Sequence, residues 1–520
     1  MAMRKRILAV FLAAAMLACS LSACGSGTTT KPSASSDGTT NSSGVDHGNL
    51  KNEITVGIAQ DLDDSLDPYQ MSAAGTREVM FNVFEGLVKP DSDGNYVCAV
   101  ASDYTVSDDG LVYTFTLRDN VVFHNGAKCT ADDVLYSFET CAATSVNSAV
   151  VSALSGVTDI SAEGNTVTVT LGAANPDFIS YVASVYIAPK GYTEHVSKPI
   201  GTGPFKFVSR SVQENVIIER HADYYGEGAK LDKVTYKIYE DINALFTALD
   251  GGALDLVAHL PVDKVNNLTN GYNVIEGTMN LVQAMYLNHN VKPFDDERVR
   301  QALCYAVDVD AMLELTADGH GTKLGSSMYP AFGKYFDSSL AEAYPHDVEK
   351  AKQLLKDAGY PNGFSFTIVA PSNYPQHVDT AVVFVEQLKE VGIDAKIQLV
   401  EWNTWVSDIY GGRNFEATVC GFDASTLNAS ALLARWVSDN KKNMINFNNA
   451  EYDQTFAAAQ SSTDDAEQTA LYKKCLQILS DTAANVYTQD LADFVVINPK
   501  LEGFEFYPLY AIDMSLLAYK

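Results

Sequence analysis

The sequence predicts an α/β protein with mixed sheets, and three observations carry that expectation. Short stretches alternating with period two recur between stretches of helical period from residue 53 onward. Apolar residues make up 47% of the chain, enough for well-formed cores. Roughly 470 residues follow position 50, more than one ordinary core holds, so two or three domains are expected. No internal repeat is visible.

Glu53 to Ala59 alternates with Ile54, Val56 and Ile58 on one side and reads as the first strand. Asp61-Leu62-Asp63-Asp64 is a polar break. Thr76 to Leu87 reads as a helix, with Val79, Val83 and Leu87 at four-residue spacing. Tyr104 to Leu117 reads as two strands joined by a turn at Ser107-Asp108-Asp109-Gly110. Thr130 caps the next helix, and Asp133 stands at the third position of a capping box. Thr166 to Leu171 is a strand. Gly201-Thr202-Gly203-Pro204 is a tight turn into the strand Phe205 to Val208, and its spacing excludes a dinucleotide or phosphate loop.

Asn243 to Leu249 is a helix stopped by Gly251-Gly252, followed by a short strand at Asp255-Leu256-Val257. Gln283 to Asn288 is a strand and Asp295 to Val307 a helix, with Asp295 and Asp296 as its caps. Asp347 to Ala358 is an amphipathic helix closed by Gly359. Phe364 to Val369 is a strand, Val378 to Val391 a helix and Ile393 to Leu399 a strand. Ala417 to Val419 is a short strand. Asp465 to Ala483 is a long helix, and Tyr487 to Ile497 a final strand.

The N-terminus supplies an address. Arg4, Lys5 and Arg6 precede an apolar run from Ile7 to Ala18, and Leu21-Ser22-Ala23-Cys24 follows. This is the arrangement of a secretory signal. The placement of the cysteine resembles a bacterial lipoprotein box, which implies cleavage after residue 23 and lipidation of Cys24. Residues 24–50 are nearly all small and polar and read as a disordered tether between anchor and body. The apolar run is short for a membrane span. The expected location is outside the cytoplasm, lipid-anchored to the cell membrane, on the cell surface or in the periplasm.

The chain carries 65 acidic and 36 basic residues, a net charge of -29. Loss of the signal brings it to about -32, which makes nucleic acid a poor partner. Six cysteines follow Cys24, at 98, 129, 141, 304, 420 and 475, with no C-x-x-C pair. Cys129 and Cys141 bracket a helix about 18 Å long, an awkward span for a disulfide, so buried thiols are expected. The nine histidines do not cluster, and no H-E-x-x-H or G-x-S-x-G motif occurs. His124 reads as a surface or turn residue. Cys304 reads as buried rather than nucleophilic. No cofactor, no dedicated metal site and no catalytic residue is expected.

Several segments occur in a telling order. They are Phe123-His124-Asn125-Gly126 with Thr130-Ala131-Asp132-Asp133-Val134, then Pro199-Ile200-Gly201-Thr202-Gly203-Pro204-Phe205. Pro293-Phe294-Asp295-Asp296 with Val299-Arg300-Gln301-Ala302 follows, then AKQLLKDAGYPNG from Ala351 to Gly363. In this order they resemble the family 5 solute-binding lipoproteins of ABC importers for peptides and nickel. The resemblance implies a two-lobed, periplasmic-binding-protein-like fold of the cluster C type with two crossovers. Lobe I would span 51–280, with an extra subdomain at about 90–198, and return at 487–520. Lobe II would span 281–486. The implied partners are an oligopeptide and the permease subunits, with the binding protein acting as a monomer. A nickel complex, an oligosaccharide or another amine-bearing solute are the alternative ligands. A surface adhesion or structural lipoprotein is the alternative class.

The stretch Val400 to Trp436 is the expected contact region. Trp402 and Trp405 follow a strand, and Phe422 and Asp423 follow another. Aromatic faces cover ligand side chains, and a carboxylate pairs with an ammonium. Peptide-binding relatives carry Gly-Trp and then an acidic residue two or three places on. Here Gly421-Phe422 is followed directly by Asp423, so the acidic residue is displaced. Arg413 and Arg435 are candidates for a ligand carboxylate. Trp436 and Tyr69 are candidate wall residues. Arg298 and Arg300 read as structural.

Overall fold

Three sheets organise the chain in a computed structural model that describes residues 52–63, 65–424 and 426–520. The expected signal, Cys24 and the whole tether lie outside the described residues. The first sheet has seven strands. Its order is Asn273–Thr278, Ala492–Ile497, Leu256–Val257, Glu53–Ile58, Lys233–Ile238, Asn215–Arg220 and Phe205–Ser211. Glu53–Ile58 runs parallel to both its neighbours, and the outer pairs are antiparallel. The second sheet has six strands in the order Thr322–Lys323, Asn485–Asp490, Leu281–Leu287, Ala417–Asp423, Ser365–Pro371 and Asp394–Val400. Its last three strands are mutually parallel. The third sheet is antiparallel, falls within residues 101–171, and packs with the helix Ala131–Thr144 around Phe115, Val134 and Phe138.

Period-two alternation accounts for the second sheet's two cores. Val282, Ala284 and Tyr286 face one core, while Met285 and Leu287 face the other. The first and second sheets each carry a lobe, and the chain passes between them twice. Thr278 leads through Met279 and Asn280 into Leu281, and Asp490 leads through Leu491 into Ala492. The two passages touch: the Met279 amide donates to the Leu491 carbonyl at 2.8 Å, and the Leu281 amide to Asp490 Oδ1 at 3.1 Å. Burial pushes the Asp490 carboxyl up to about 7.

The strand expected over Tyr487 to Ile497 is therefore two strands in two sheets, Asn485–Asp490 and Ala492–Ile497. Both are buried on every face, so the alternation that marks a strand end in sequence is missing. The helix expected over Thr76 to Leu87 is also cut short, to Ala74–Met80. Amides from far along the chain take its next carbonyls: Gly203 donates to Val83 at 3.0 Å and Phe205 to Asn82 at 3.0 Å. Contact this close explains the Gly-Thr-Gly-Pro turn. A Cβ at Gly201 would stand 2.2 Å from the Val83 carbonyl oxygen, and one at Gly203 would stand 2.6 Å from that of Asn82.

His124 stands in a turn, as expected, but it is half-buried and also clamps the Gly-Thr-Gly-Pro turn. Its Nδ1 accepts from the Gly201 amide at 3.2 Å, and its Nε2 donates to the Gly203 carbonyl at 3.0 Å. Burial pulls its pKa down to about 3, so the ring is neutral and carries one proton, on Nε2. The Asp133 carboxylate accepts from the Thr130 amide at 2.8 Å, as the capping box requires. Asp296 caps the helix Glu297–Ala306 through the Arg298 amide at 2.9 Å. Cys98, Cys129, Cys141, Cys304, Cys420 and Cys475 are all free thiols, and all but Cys98 are buried. Among the described residues no helix is long and apolar enough to cross a membrane.

Candidate functional site

The three parallel strands of the second sheet end toward the same edge, two of them level at Pro371 and Val400 and the third running on to Asp423. Aromatic residues crowd these ends. Trp402 stacks on Trp405 with centroids 5.1 Å apart and planes 5° apart, and Tyr374 meets Trp402 edge-on at 5.1 Å. Trp405 continues to Tyr410 at 5.9 Å and to Phe422 at 6.4 Å. The chain of rings runs inward from Phe422 to Tyr286 and then to Trp436. Trp402 is 38% exposed, whereas Trp405 is buried and donates its indole N–H to Thr418 Oγ1 at 3.0 Å.

Phe422 and Asp423 do not follow a short strand, as the sequence suggests. They are its last two residues, because Ala417–Asp423 pairs in full register with Leu281–Leu287. Phe422 turns toward Tyr286 and Tyr410, and Asp423 stands exposed at the strand end. The Arg435 guanidinium lies 3.8 Å over the Phe422 ring and donates to the Tyr410 hydroxyl at 2.9 Å, while its Nε is buried without a partner. Arg413, at φ +57°, donates to Asn446 Oδ1 at 2.7 Å and to the Lys441 carbonyl at 3.3 Å. Trp436 is fully buried in the core of the second lobe and donates to Ser327 Oγ at 2.8 Å. Tyr69 is buried in the core around the third sheet, its hydroxyl bonded to the Tyr186 carbonyl at 2.8 Å.

Asp423 opens onto a solvent-connected cavity whose other walls come mainly from the first lobe and the segment around the third sheet. Phe81, Tyr96, Tyr186 and Tyr510 give it an aromatic lining. Arg77, Glu85, Lys89 and Asp513 give it charge. Tyr69 thus stands behind this wall, through Tyr186, rather than in it. Glu85 is buried and fully engaged: Oε1 accepts from Lys89 at 3.0 Å and Tyr224 at 2.7 Å, and Oε2 from Tyr225 at 2.7 Å. Burial opposes the Lys89 charge, but Glu85 and its neighbours more than offset that and hold the ammonium protonated.

The lobes also meet beside this cavity. The Leu427 amide donates to the Tyr96 hydroxyl at 2.9 Å, and Asn428 Nδ2 to Ser180 Oγ at 2.5 Å. The Tyr181 and Ser430 hydroxyls lie 3.2 Å apart, and the Tyr472 hydroxyl donates to Asp177 at 3.3 Å. These contacts tie the segment after Asp423 to the opposite wall.

Sequence reasoning missed Arg77, Glu85, Lys89, Tyr186, Tyr510 and Asp513. Their positions carry no shared spacing, and only the fold brings them together. Among the described residues no group of three or more His, Cys, Asp or Glu side chains is arranged to hold a metal ion.

The family profile described as bacterial extracellular solute-binding proteins, family 5, middle region, matches residues 95–444. The chain belongs to that family, and it has the two-lobed fold of binding proteins that serve ABC importers. The glutathione-binding protein GsiB of Salmonella typhi is 28% identical over 447 residues, covering 82% of this chain and 86% of the relative. The periplasmic binding protein DppA of Helicobacter pylori, solved with the peptide STSA, is 25% identical with a TM-score of 0.77. That alignment covers 90% of this chain and 98% of DppA. NikZ of Campylobacter jejuni, solved with Ni(L-His), is 21% identical with a TM-score of 0.76 over 90% of this chain and 98% of its own, a likeness of fold alone. These relatives are binding proteins and not enzymes, and the family works outside the cytoplasm.

Proposed function

We propose that this protein captures an oligopeptide between its lobes and delivers it to an ABC permease. One observation carries the reading. Asp423 and the Trp402 to Phe422 aromatic set stand at the carboxyl ends of the parallel strands, and Asp423 borders a cavity walled mainly by the other lobe. Ligand sites in sheets of this kind form outside the carboxyl ends of parallel strands. In this reading Asp423 receives the ligand ammonium, the aromatic rings cover side chains, and lobe closure gains contacts that the open state lacks. Cys24 carries the lipid, and the tether holds the capture device at high effective concentration beside its permease. The lobes divide near residues 280 and 491, where the chain crosses between sheets.

Native mass spectrometry of the purified protein, with co-purified solute retained, tests the ligand class directly; a bound sugar or metal complex in place of a peptide would overturn it. The Asp423→Asn variant is expected to lose about 1–3 kcal/mol of affinity for a free-amine peptide with its fold intact. Unchanged calorimetric affinity would remove Asp423 from the site. Trp402 is the exposed member of the aromatic set, so it should carry the ligand-dependent fluorescence change. Trp402→Phe is expected to abolish most of that change, and a full response in this variant would assign the signal to Trp405 instead.

A further inference from the structure

The charges in the cavity are unequally committed. Glu85 and Lys89 hold one another, and Tyr224 and Tyr225 complete the Glu85 acceptors. Asp513 accepts from the Ser515 amide at 2.9 Å, from the Ser515 hydroxyl and from Tyr507 at 3.3 Å. Two charges remain, Arg77 and Asp423, one from each lobe. Arg77 lies on the helix Ala74–Met80, and its Nη1 donates to the Ser72 carbonyl at 2.5 Å. Its Nη2 stands 3.9 Å from Asp423 Oδ2, with the two side chains 32% and 49% exposed. A pair this long and this wet contributes little by itself.

We propose that Arg77 is a ligand-binding residue that takes the carboxylate of a short zwitterionic ligand whose ammonium rests on Asp423. The proposal rests on the reading of Asp423 as part of the peptide site. A guanidinium offers two parallel N–H groups to a carboxylate, and a carboxylate accepts an ammonium through short charge-assisted bonds. A ligand carrying both groups exchanges one loose 3.9 Å contact for two tight ones. Lys89 cannot serve instead, because Glu85 already holds it. Ligand length follows from the spacing of Arg77 and Asp423. Successive Cα atoms lie about 3.8 Å apart, so the charged ends of a dipeptide fall roughly 5–6 Å apart. Seating that pair between Arg77 and Asp423 requires them to part by several ångströms from their 3.9 Å contact, whereas the carboxylate of a long extended peptide falls far beyond Arg77. The ligand class is therefore an unblocked dipeptide or a similarly short amino-acid derivative.

Calorimetry on the whole chain tests this, starting from a pool of unblocked dipeptides and taking the best binder in free, C-amidated and N-acetylated forms. In the unaltered protein amidation is expected to weaken binding at least tenfold. In Arg77→Met the free and amidated forms should bind alike, while acetylation still weakens binding. Arg77→Lys should restore part of the preference for the free carboxylate. If Arg77→Met keeps the full preference, or weakens all three forms equally, Arg77 is not the carboxylate receptor. If octapeptides bind and dipeptides do not, the inference fails while the peptide reading stands. If neither binds, the peptide reading itself fails.

Discussion

Replacing Arg300 with alanine is expected to lower the unfolding free energy of the second lobe by about 4 kcal/mol. Arg300 is only 6% exposed, and its guanidinium serves three carbonyls. Nε donates to Ala483 at 3.1 Å, Nη1 to Phe294 at 2.9 Å and Nη2 to Thr482 at 3.0 Å. Thr482 and Ala483 follow the helix Asp465–Asp481, where unpaired carbonyls concentrate negative charge. Burial pulls the Arg300 pKa down, and Glu297 partly offsets that, so the side chain stays charged through carbonyls rather than through an ion pair. Alanine leaves three acceptors facing an apolar void. Lysine reaches fewer of them and should recover less than half of the loss. Denaturant midpoints of the two variants check this, and a loss below about 1 kcal/mol would mean that water replaces the guanidinium. The residue also sets its surroundings. Burial and the Arg300 charge together bring the His289 pKa down to about 3, and the neutral ring donates to the Ala484 carbonyl at 2.8 Å. The segment so fixed leads straight into the strand Asn485–Asp490 and the second crossover.

Arg300 is a case that the sequence made legible. It falls in a segment resembling the family, and a structural role follows from its place in a helix whose other buried residues are apolar. The order of strands and helices was equally legible wherever one face is wet, because periods of 2 and 3.6 then appear in the chemistry of the residues. It failed where both faces are buried, as in Asn485–Asp490 and Ala492–Ile497, and where remote amides ended the helix at Met80. The candidate site divides in the same way. Phe422 and Asp423 were visible because a local pattern marks them. Arg77 was not, since a single arginine on a helix looks like any solvated charge. Trp436 and Trp405 show the converse, because a large ring is as suited to a core as to a ligand wall.

The His259→Gln variant is expected to lose about 3–5 kcal/mol of stability at pH 6, through a buried cluster that joins the crossover to the cavity. His259 Nδ1 meets Asp493 at 3.0 Å and Nε2 meets Glu78 at 3.0 Å, and the two carboxylate side chains are 6% and 10% exposed. The residue adopts φ +58°, an uncommon conformation for a side chain with a Cβ, so the surrounding contacts must hold it there. Burial works against a charged imidazole, but Asp493 and then Glu78 outweigh it and raise the pKa well above the ordinary 6.5. The sign of the pH effect follows. A group whose pKa rises on folding contributes fully below its unfolded value and loses that contribution as pH climbs through its folded value. The difference between the unaltered protein and His259→Gln should therefore be constant below pH 6.5 and shrink in alkaline solution. A gap that instead widens with rising pH would mean a neutral ring. The cluster reaches the cavity by two routes. Tyr510 stacks on the imidazole at 4.4 Å and lines the cavity, and Glu78 neighbours Arg77 on one helix. Loss of the imidazolium leaves two buried carboxylates repelling each other beside that helix, so ligand affinity should fall together with stability, and a variant that loses stability alone would separate the crossover from the site.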